Sequence, residues 1–311
     1  MVYLALAVAC SLAIGLLFKH AGREQLDRTS LLTTNYAAAV ALALVLLAAG
    51  GRTVADGLAL EPSLIALGVL TGALLIAGFF MLSLATDLAG MSLAIGVMRV
   101  SVVLPFLASW LVWNEVPSLA QGAGLVLASV AFFLIAQHKE RTPEAVPVGA
   151  SSPAAQTQET EPDGLSASSG RVFAVLLGTF VVGGAVDVSM KTFEESFGAG
   201  NSRVLFLLMA FGVAFAIGAV VVVARGLRTG TWPERRTLGW GVLLGIINYG
   251  SLEFILRAIE RLPGPFVFPA NNIAIVVLAA VLGVAVWDEY LSRVNRIGLG
   301  LAVVALILLG L

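Results

Sequence analysis

Cysteine and histidine are almost missing from this chain: Cys10 is the one thiol, and His20 and His138 are the two imidazoles, in 311 residues. A lone cysteine cannot close an intramolecular disulfide, and this set cannot build a Cys/His metal cage. Charge is scarce as well. Charged side chains make up 12% of the sequence, about half the share usual in a soluble domain, and the formal net charge is -1. The basic residues are scattered singly instead of clustering with aromatics, so the electrostatic footprint of a nucleic-acid binder is lacking. Nor is there a nucleophile elbow, a phosphate loop or a metal-ligand cluster. The rival to a non-enzymatic reading, an intramembrane enzyme acting on a lipid-phase substrate, therefore has little to work with. No cofactor is expected, and without a nucleotide-binding motif direct use of ATP is not expected either.

Apolar residues fill the space instead. They account for 59% of the chain, more than a water-soluble core of this length could hide. A helix needs about twenty apolar residues to cross a hydrocarbon layer of about 30 Å, and lipid excludes almost any other spanning structure but a closed barrel. Reading between polar breaks places spans at about 2–19, 31–50, 62–84, 89–112, 118–137, 171–190, 202–225, 238–258, 263–287 and 291–310. The first run, Val2 to Phe18, has no basic residue before it and continues into a multi-span chain, so it reads as a retained span and not as a signal peptide. Ala7-Val8-Ala9-Cys10 resembles a lipoprotein cleavage box, but the apolar run before it is too short.

One long polar break interrupts this pattern. Residues 138–170 hold Pro143, Pro147, Pro153 and Pro162 among Ser, Glu, Thr and Gly, a composition expected to form a flexible linker. It falls after the fifth span and divides the chain into halves, 1–137 and 171–311. The halves repeat. Trp113-Asn114-Glu115 matches Trp287-Asp288-Glu289, Ser118 matches Ser292, and Gly124 matches Gly298. Gly68 and Gly72 match Gly241 and Gly245, and Lys19 matches Lys191. With five spans per half, the second half must enter from the opposite side to the first. That is the signature of an inverted repeat, as in many secondary transporters. The expected fold class is thus an all-α membrane protein of ten transmembrane helices, two inverted five-helix repeats around a central cavity.

In these features the chain resembles the drug/metabolite transporter superfamily, in particular its ten-helix EamA-type members. The resemblance is sharpest from Gly245 through Asn248, Ala258, Pro263, Pro269, Asn271 and Asn272 to Trp287-Asp288-Glu289 and Gly298. It implies a cavity lined by the first, third, fourth, sixth, eighth and ninth helices, with the fifth and tenth as outer scaffold. It also implies substrates drawn from amino acids, sugars, nucleotide sugars and cationic drugs. The family's lysine at the end of the first helix of each half falls on Lys19 and Lys191. Where relatives carry a Trp-Gly pair about two turns before that lysine, this chain has Ser11-Leu12 and Gly183-Gly184, which leaves the substrate class open.

The polar residues inside the spans are the candidates for chemistry. Arg99 lies about ten residues into the fourth span, near 15 Å deep, where a cation costs at least about 2.5 to 3.5 kcal/mol and usually faces the bundle interior. Glu253 in the eighth span differs from it in estimated depth by about 5 Å and is the expected partner, either in a structural ion pair or as a site for a proton or cationic group. Asn271 and Asn272 hold the ninth-helix region equivalent to Arg99, flanked by Pro265 and Pro269, which are expected to free backbone carbonyls. Asn35, Asn248 and Tyr249 are candidates of the same kind. Asp187 and Lys191, spaced i,i+4, are expected to pair near the membrane interface. Glu115 and Glu289 are expected to favour the N-termini of the fifth and tenth helices, and Trp113 and Trp287 to sit in an aromatic belt.

These readings converge on a secondary transporter of a small polar or amphipathic metabolite, working by alternating access and driven by protons or by the solute gradient; a multidrug exporter is the variant within that class. Its partners would be the solute, protons and membrane lipids, with the protein a monomer or homodimer. Its place would be the plasma (inner) membrane of a prokaryote. Basic residues gather on the face that carries Arg23, Arg28, Arg225, Arg228, Arg235 and Arg236, which the positive-inside rule makes cytoplasmic, with both termini outside. The family resemblance implies termini inside, and the charge distribution is preferred because the loops are short.

Overall fold

A computed structural model describes residues 1–51, 61–89, 91–136, 165–287 and 292–311. Among them are eleven helices and no strand: α1 (Val2–Arg23), α2 (Arg28–Ala49), α3 (Pro62–Ala89), α4 (Met91–Val100), α5 (Val103–Trp113), α6 (Leu119–Ala136), α7 (Leu165–Ser196), α8 (Arg203–Thr229), α9 (Arg235–Ile259), α10 (Gly264–Trp287) and α11 (Arg293–Leu309). Since α4 and α5 are two pieces of the fourth span, the helices match the ten expected spans in order. Eight of those spans are long and apolar enough to cross a membrane. The other two, α6 with 18 residues and α11 with 17, are shorter. The chain is an all-helical protein of multi-pass membrane character. Most of the expected linker, the pairing partner Glu289 and the side chain of Trp287 lie outside the described residues. α7 begins at Leu165, within the last residues of the stretch read as linker.

The fourth span breaks at Ser101 and Val102, a feature not read from the sequence. Pro105 explains it. Proline has no N–H to give to the carbonyl four residues earlier, and its ring crowds that carbonyl. Here the carbonyl is that of Ser101, which takes the Leu104 N–H instead at 2.9 Å. The Ser101 hydroxyl turns back to the Met98 carbonyl at 2.6 Å. In the ninth span α10 runs helically through Pro269, although Pro269 has no N–H for the Pro265 carbonyl.

Helices bundle closely where glycine removes the side chain between them, the usual device in membranes, where no hydrophobic effect draws helices together. A Cβ on Gly72 of α3 would lie 2.3 Å from the Ala210 carbonyl oxygen of α8, and one on Gly245 of α9 would lie 2.3 Å from that of Asn35 in α2. One turn earlier, Gly68 rests on Met209, and Gly241 on Leu31 and Thr34. At the outer edge, Gly124 of α6 fits against Ala305 and Leu309 of α11, and Gly298 of α11 against Ala131 and Ile135 of α6. So α2 and α8 lie at the centre, flanked by α3 and α9, while α6 and α11 pair with each other.

The spans end on two faces. On the first, Tyr3 of α1 stacks with the guanidinium groups of Arg257 and Arg261 at the end of α9. There too Arg203 of α8 bridges Glu194 of α7 at 2.6 Å and Glu260 after α9 at 3.1 Å. On the second face, Asp27 caps α2 through the Ser30 N–H at 2.9 Å and binds Arg225 of α8 through both oxygens at 2.7 and 2.5 Å. The Arg225 hydrogen bonds hold the Asp27 carboxyl well below the usual carboxylate range. The α6 and α11 N-termini are capped by serines. Ser118 and Gln121 form a reciprocal capping box, and Ser292 accepts from the Asn295 N–H at 3.1 Å.

The glycine contacts make a testable statement about packing. Gly72→Ala and Gly245→Ala should each lower stability by about 1 to 3 kcal/mol, since the new methyl group must force two helix backbones apart. Gly122→Ala in α6, where a Cβ meets nothing within 4 Å, should leave thermal unfolding in detergent unchanged. Equal melting temperatures for all three variants would contradict the packing.

Candidate functional site

A cavity of about 310 Å³ lies inside the bundle, lined by α1, α2, α3, α4, α7, α9 and α10. These are the helices implied by the family resemblance plus the second, while the scaffold helices α6 and α11 contribute nothing to it among the described residues. The cavity runs from mid-span, at Asn248 and Asn271, toward the second face, at Phe18 and Leu32, close to where α1 ends and α2 begins.

Arg99 projects into this cavity from the last turn of α4, just before the Ser101 break. Its Nη1 donates to Asn272 Oδ1 at 2.9 Å, and Asn272 Nδ2 donates in turn to the Phe268 carbonyl at 3.1 Å. The amide is thereby fixed with its oxygen toward the cation. The expected association of Arg99 with the asparagines of α10 is therefore present.

The expected partnership of Arg99 with Glu253 is not. Glu253 Oε1 accepts from Arg257 Nε at 2.7 Å, one turn along the same helix, and Glu253 is not among the cavity-lining residues. Depth explains the difference. Arg99 lies eight residues past Met91, and Glu253 six before Ile259, which puts them about 12 Å and about 9 Å from opposite ends of spans about 33 Å long. The remaining gap of about 12 Å exceeds the reach of one ion pair. The acidic side chain that shares the cavity with Arg99 is Asp187 of α7.

Local sequence brings Asp187 there. Gly183 and Gly184 let α7 press against the broken span: a Cβ on Gly184 would meet the Ser101 carbonyl at 2.8 Å and Leu104 Cδ1 at 2.5 Å. One turn beyond these glycines stands Asp187. The expected Asp187–Lys191 pair is not formed. Lys191 lies at the same helical azimuth but one turn deeper toward the first face, where two other carboxylates reach it. Its ammonium binds Glu115 at 2.6 Å and Glu195 at 2.5 Å and is fully buried, which also corrects the expectation that it snorkels to water. Glu115 does cap a helix, but not α6. Its second oxygen accepts the Gly264 N–H at the start of α10 at 2.8 Å. The Trp113 ring sits 5.9 Å from the same ammonium.

The amides behave as a set. Gly245 lets α9 touch α2, and three residues on, Asn248 Nδ2 donates to Asn35 Oδ1 at 3.2 Å. Both line the cavity. Asn35 Nδ2 and Asn271 Oδ1 are buried without a hydrogen-bond partner. Tyr249 points elsewhere, packing on Phe211 at 6.1 Å between ring centroids, with its hydroxyl buried and unpaired. Lys19 is half-buried near the end of α1, beside but not among the lining residues. Ser11, Tyr36, Ser101 and Phe79 complete the wall. Ser11 and Gly183 fall where relatives carry the Trp-Gly pair, whereas no signal in the sequence separates Tyr36, Ser101 and Phe79 from the many other hydroxyl and aromatic residues of the spans. What results is a mid-span pocket with one arginine, one aspartate and four asparagines against walls of Ile14, Phe18, Phe79 and Ile275. It can hold a small molecule by charge and hydrogen bonds at one part and by apolar contact at another.

No family model matches the chain. A protein of Haemophilus influenzae described only as uncharacterized is 26% identical over 300 residues, spanning 94% of this chain and 92% of that protein. A solved crystal structure superposes with a TM-score of 0.71 at 15% identity, over 100% of this chain and 99% of the other. The chain shares the fold of that structure.

Asn272→Leu should lower stability by about 1.5 to 3 kcal/mol, because it strips a buried cation of its hydrogen-bond acceptor. Combining it with Arg99→Met should recover most of that loss, as apolar replacement of both members often does. Unfolding curves of the two variants in detergent decide the matter. An Asn272→Leu protein as stable as the parent would mean that the bond carries no weight.

Proposed function

We propose that this protein is a secondary transporter that moves a small polar or amphipathic metabolite by alternating access, with two inverted five-helix repeats rocking about the cavity. The observation that carries the reading is the cavity itself. An arginine, an aspartate and four asparagines converge at mid-span, where polar groups are costly and usually serve a solute path. Two of the amides have buried atoms that no protein group satisfies. A solute that fills the pocket supplies the missing partners.

The repeat reading draws support from direction and packing. α1 begins on the face where α7 ends. The contacts exchange between halves, with Gly72 on α8 answered by Gly245 on α2, and Gly124 on α11 by Gly298 on α6. Arg99 and Asn272 hold matching places in the fourth and ninth spans and meet each other across the cavity. Sites at the interface of such repeats, close to the midplane, are the rule in secondary transporters. Asp187, which shares the cavity with Arg99, is the carboxylate placed to exchange a proton with the solute site, a role that Glu253 is too far away to fill. The resemblance to the drug/metabolite transporter superfamily agrees with this reading, as does a prokaryotic inner-membrane location with the basic second face in the cytoplasm.

A thermal-shift screen of the purified protein against amino acids, sugars, nucleotide sugars and cationic amphiphiles tests the assignment. At least one class should raise the melting temperature in a dose-dependent way, and the shift should disappear in Arg99→Met. Stabilisation that persists in Arg99→Met and in Asn271→Leu would place binding outside the cavity and refute it.

A further inference from the structure

Between the cavity and the first face the bundle is tightly packed. Met190 and Phe193 of α7, Phe206 of α8, Leu256 of α9 and Val267 and Phe268 of α10 are all buried there, and the Phe193 and Phe206 rings stack at 4.2 Å. The cavity-lining residues nearest a face, Phe18 and Leu32, instead lie toward the second. Among the described residues the pocket is thus closed on the first face.

The polar groups that hold this closure divide by the halves they join. The Arg203 bridges to Glu194 and Glu260 stay within the second half and would travel with it as one body. Lys191 and Glu115 belong to opposite halves. Their bond at 2.6 Å ties the end of α5 to the end of α7, and the other Glu115 oxygen takes the first N–H of α10 at 2.8 Å. One carboxylate at the end of α5 therefore binds both α7 and α10 on this face. The approach is close, since a Cβ on Gly264 would lie 2.1 Å from Ser109 Oγ and 3.0 Å from Glu115 Oε2. The left-handed backbone of Asn114, with φ 56°, turns the chain after α5 so that Glu115 reaches back over the helix ends.

We propose that the Lys191–Glu115 pair, with Glu115 also on the α10 N-terminus, is a latch that holds the cavity closed to the first face, and that opening to that face requires its rupture. The burial pattern suits a bond that forms and breaks. The Lys191 side chain is 0% exposed, while those of Glu115 and Glu195 are 24% and 35% exposed. Separation of the halves would hydrate carboxylates that are already partly exposed, so the broken state is not left with charges stranded in hydrocarbon. Glu195, one turn along α7, keeps a partner for the ammonium when Glu115 leaves. An ion pair of this kind biases a two-state element in proportion to the difference between its closed and open forms. The aromatic contacts of Tyr3 with Arg257 and Arg261 also cross the halves and close the opposite side of the same face.

The inference rests on the transport reading for its purpose, but its test does not need a solute. Leu74, a cavity-lining residue of α3, is replaced by cysteine in a Cys10→Ala background. The full-length protein is reconstituted in liposomes sorted by orientation and treated with a membrane-impermeant maleimide from each side. The parent should label from the second face at least about tenfold faster than from the first, tenfold corresponding to about 1.4 kcal/mol of bias. Lys191→Met should raise the first-face rate about tenfold or more and lower the second-face rate. Glu115→Gln with Lys191→Met removes both charges, keeps an acceptor for Gly264, and serves as a second variant should the single one fold poorly. Labelling of the parent equally from both faces, or a first-face rate unchanged in a folded latch variant, would overturn the proposal. First-face opening in a protein that moves no solute would instead defeat the transport reading and leave the latch standing, whereas intact flux with unchanged labelling would defeat the latch alone.

Discussion

Inside a bilayer a polar group either finds a partner within the protein or costs several kcal/mol, and the arrangement of this molecule follows from that constraint. The spans carry few charges, and those they carry are not spread at random. Lys191 is wrapped by two carboxylates and a tryptophan face. Glu253 is matched by Arg257 one turn away. Asp27 is locked to Arg225 at the second face. The Lys191 and Asp27 pairs join helices, whereas Glu253 and Arg257 share one, and Glu253 Oε2 and Arg225 Nε stay without a hydrogen-bond partner. In the cavity, too, satisfaction is incomplete. Arg99 has one asparagine acceptor, and neighbouring amides have buried atoms with none.

Close approach of backbones makes such pairing feasible. The Asn35–Asn248 bond exists because Gly245 lets α9 touch α2 one turn away. Asp187 enters the cavity because Gly183 and Gly184 let α7 lean on the broken fourth span. The break itself, caused by Pro105, ends α4 one residue beyond Arg99. Removing side chains at a few positions thus decides which polar side chains meet, and packing and site chemistry are set by the same residues. The glycines also produce two kinds of seam. α6 and α11 interlock at the periphery through Gly124 and Gly298 and line no part of the cavity, so they can brace the halves without taking part in its opening.

Much of this was legible in the sequence, and the failures share a cause. The ten helices, and the glycines by which they pack, could be read because hydropathy and residue size act locally along the chain. The grouping of Arg99 with Asn271 or Asn272 follows from their equivalent places in the fourth and ninth spans, and Asn272 is the one that bonds it; the Asn35–Asn248 bond has no such signal in the sequence. Glu253 was misassigned because the depth estimate was too coarse and because depth leaves the azimuth around the helix open; Arg257, a turn away, was the nearer partner. Spacing of i,i+4 correctly put Asp187 and Lys191 on one face of α7, yet it is silent about what lies opposite. Glu115 claimed Lys191 from 76 residues away in the chain, through a left-handed turn at Asn114 that nothing in the local pattern announces. Pro105 could have predicted the broken span, since the loss of one N–H is a local fact. The wall residues Tyr36 and Phe79 could not have been singled out.

The central claim is that the mid-span cavity carries a solute from one face to the other, and flux is its most direct measure. Liposomes containing the purified protein, preloaded with a solute that stabilises it, should take up the labelled solute from outside in saturable counterflow. Arg99→Met liposomes should show no more uptake than protein-free ones. Binding of the solute without any counterflow in the parent protein, or its conversion into a lipid-phase product, would contradict the account.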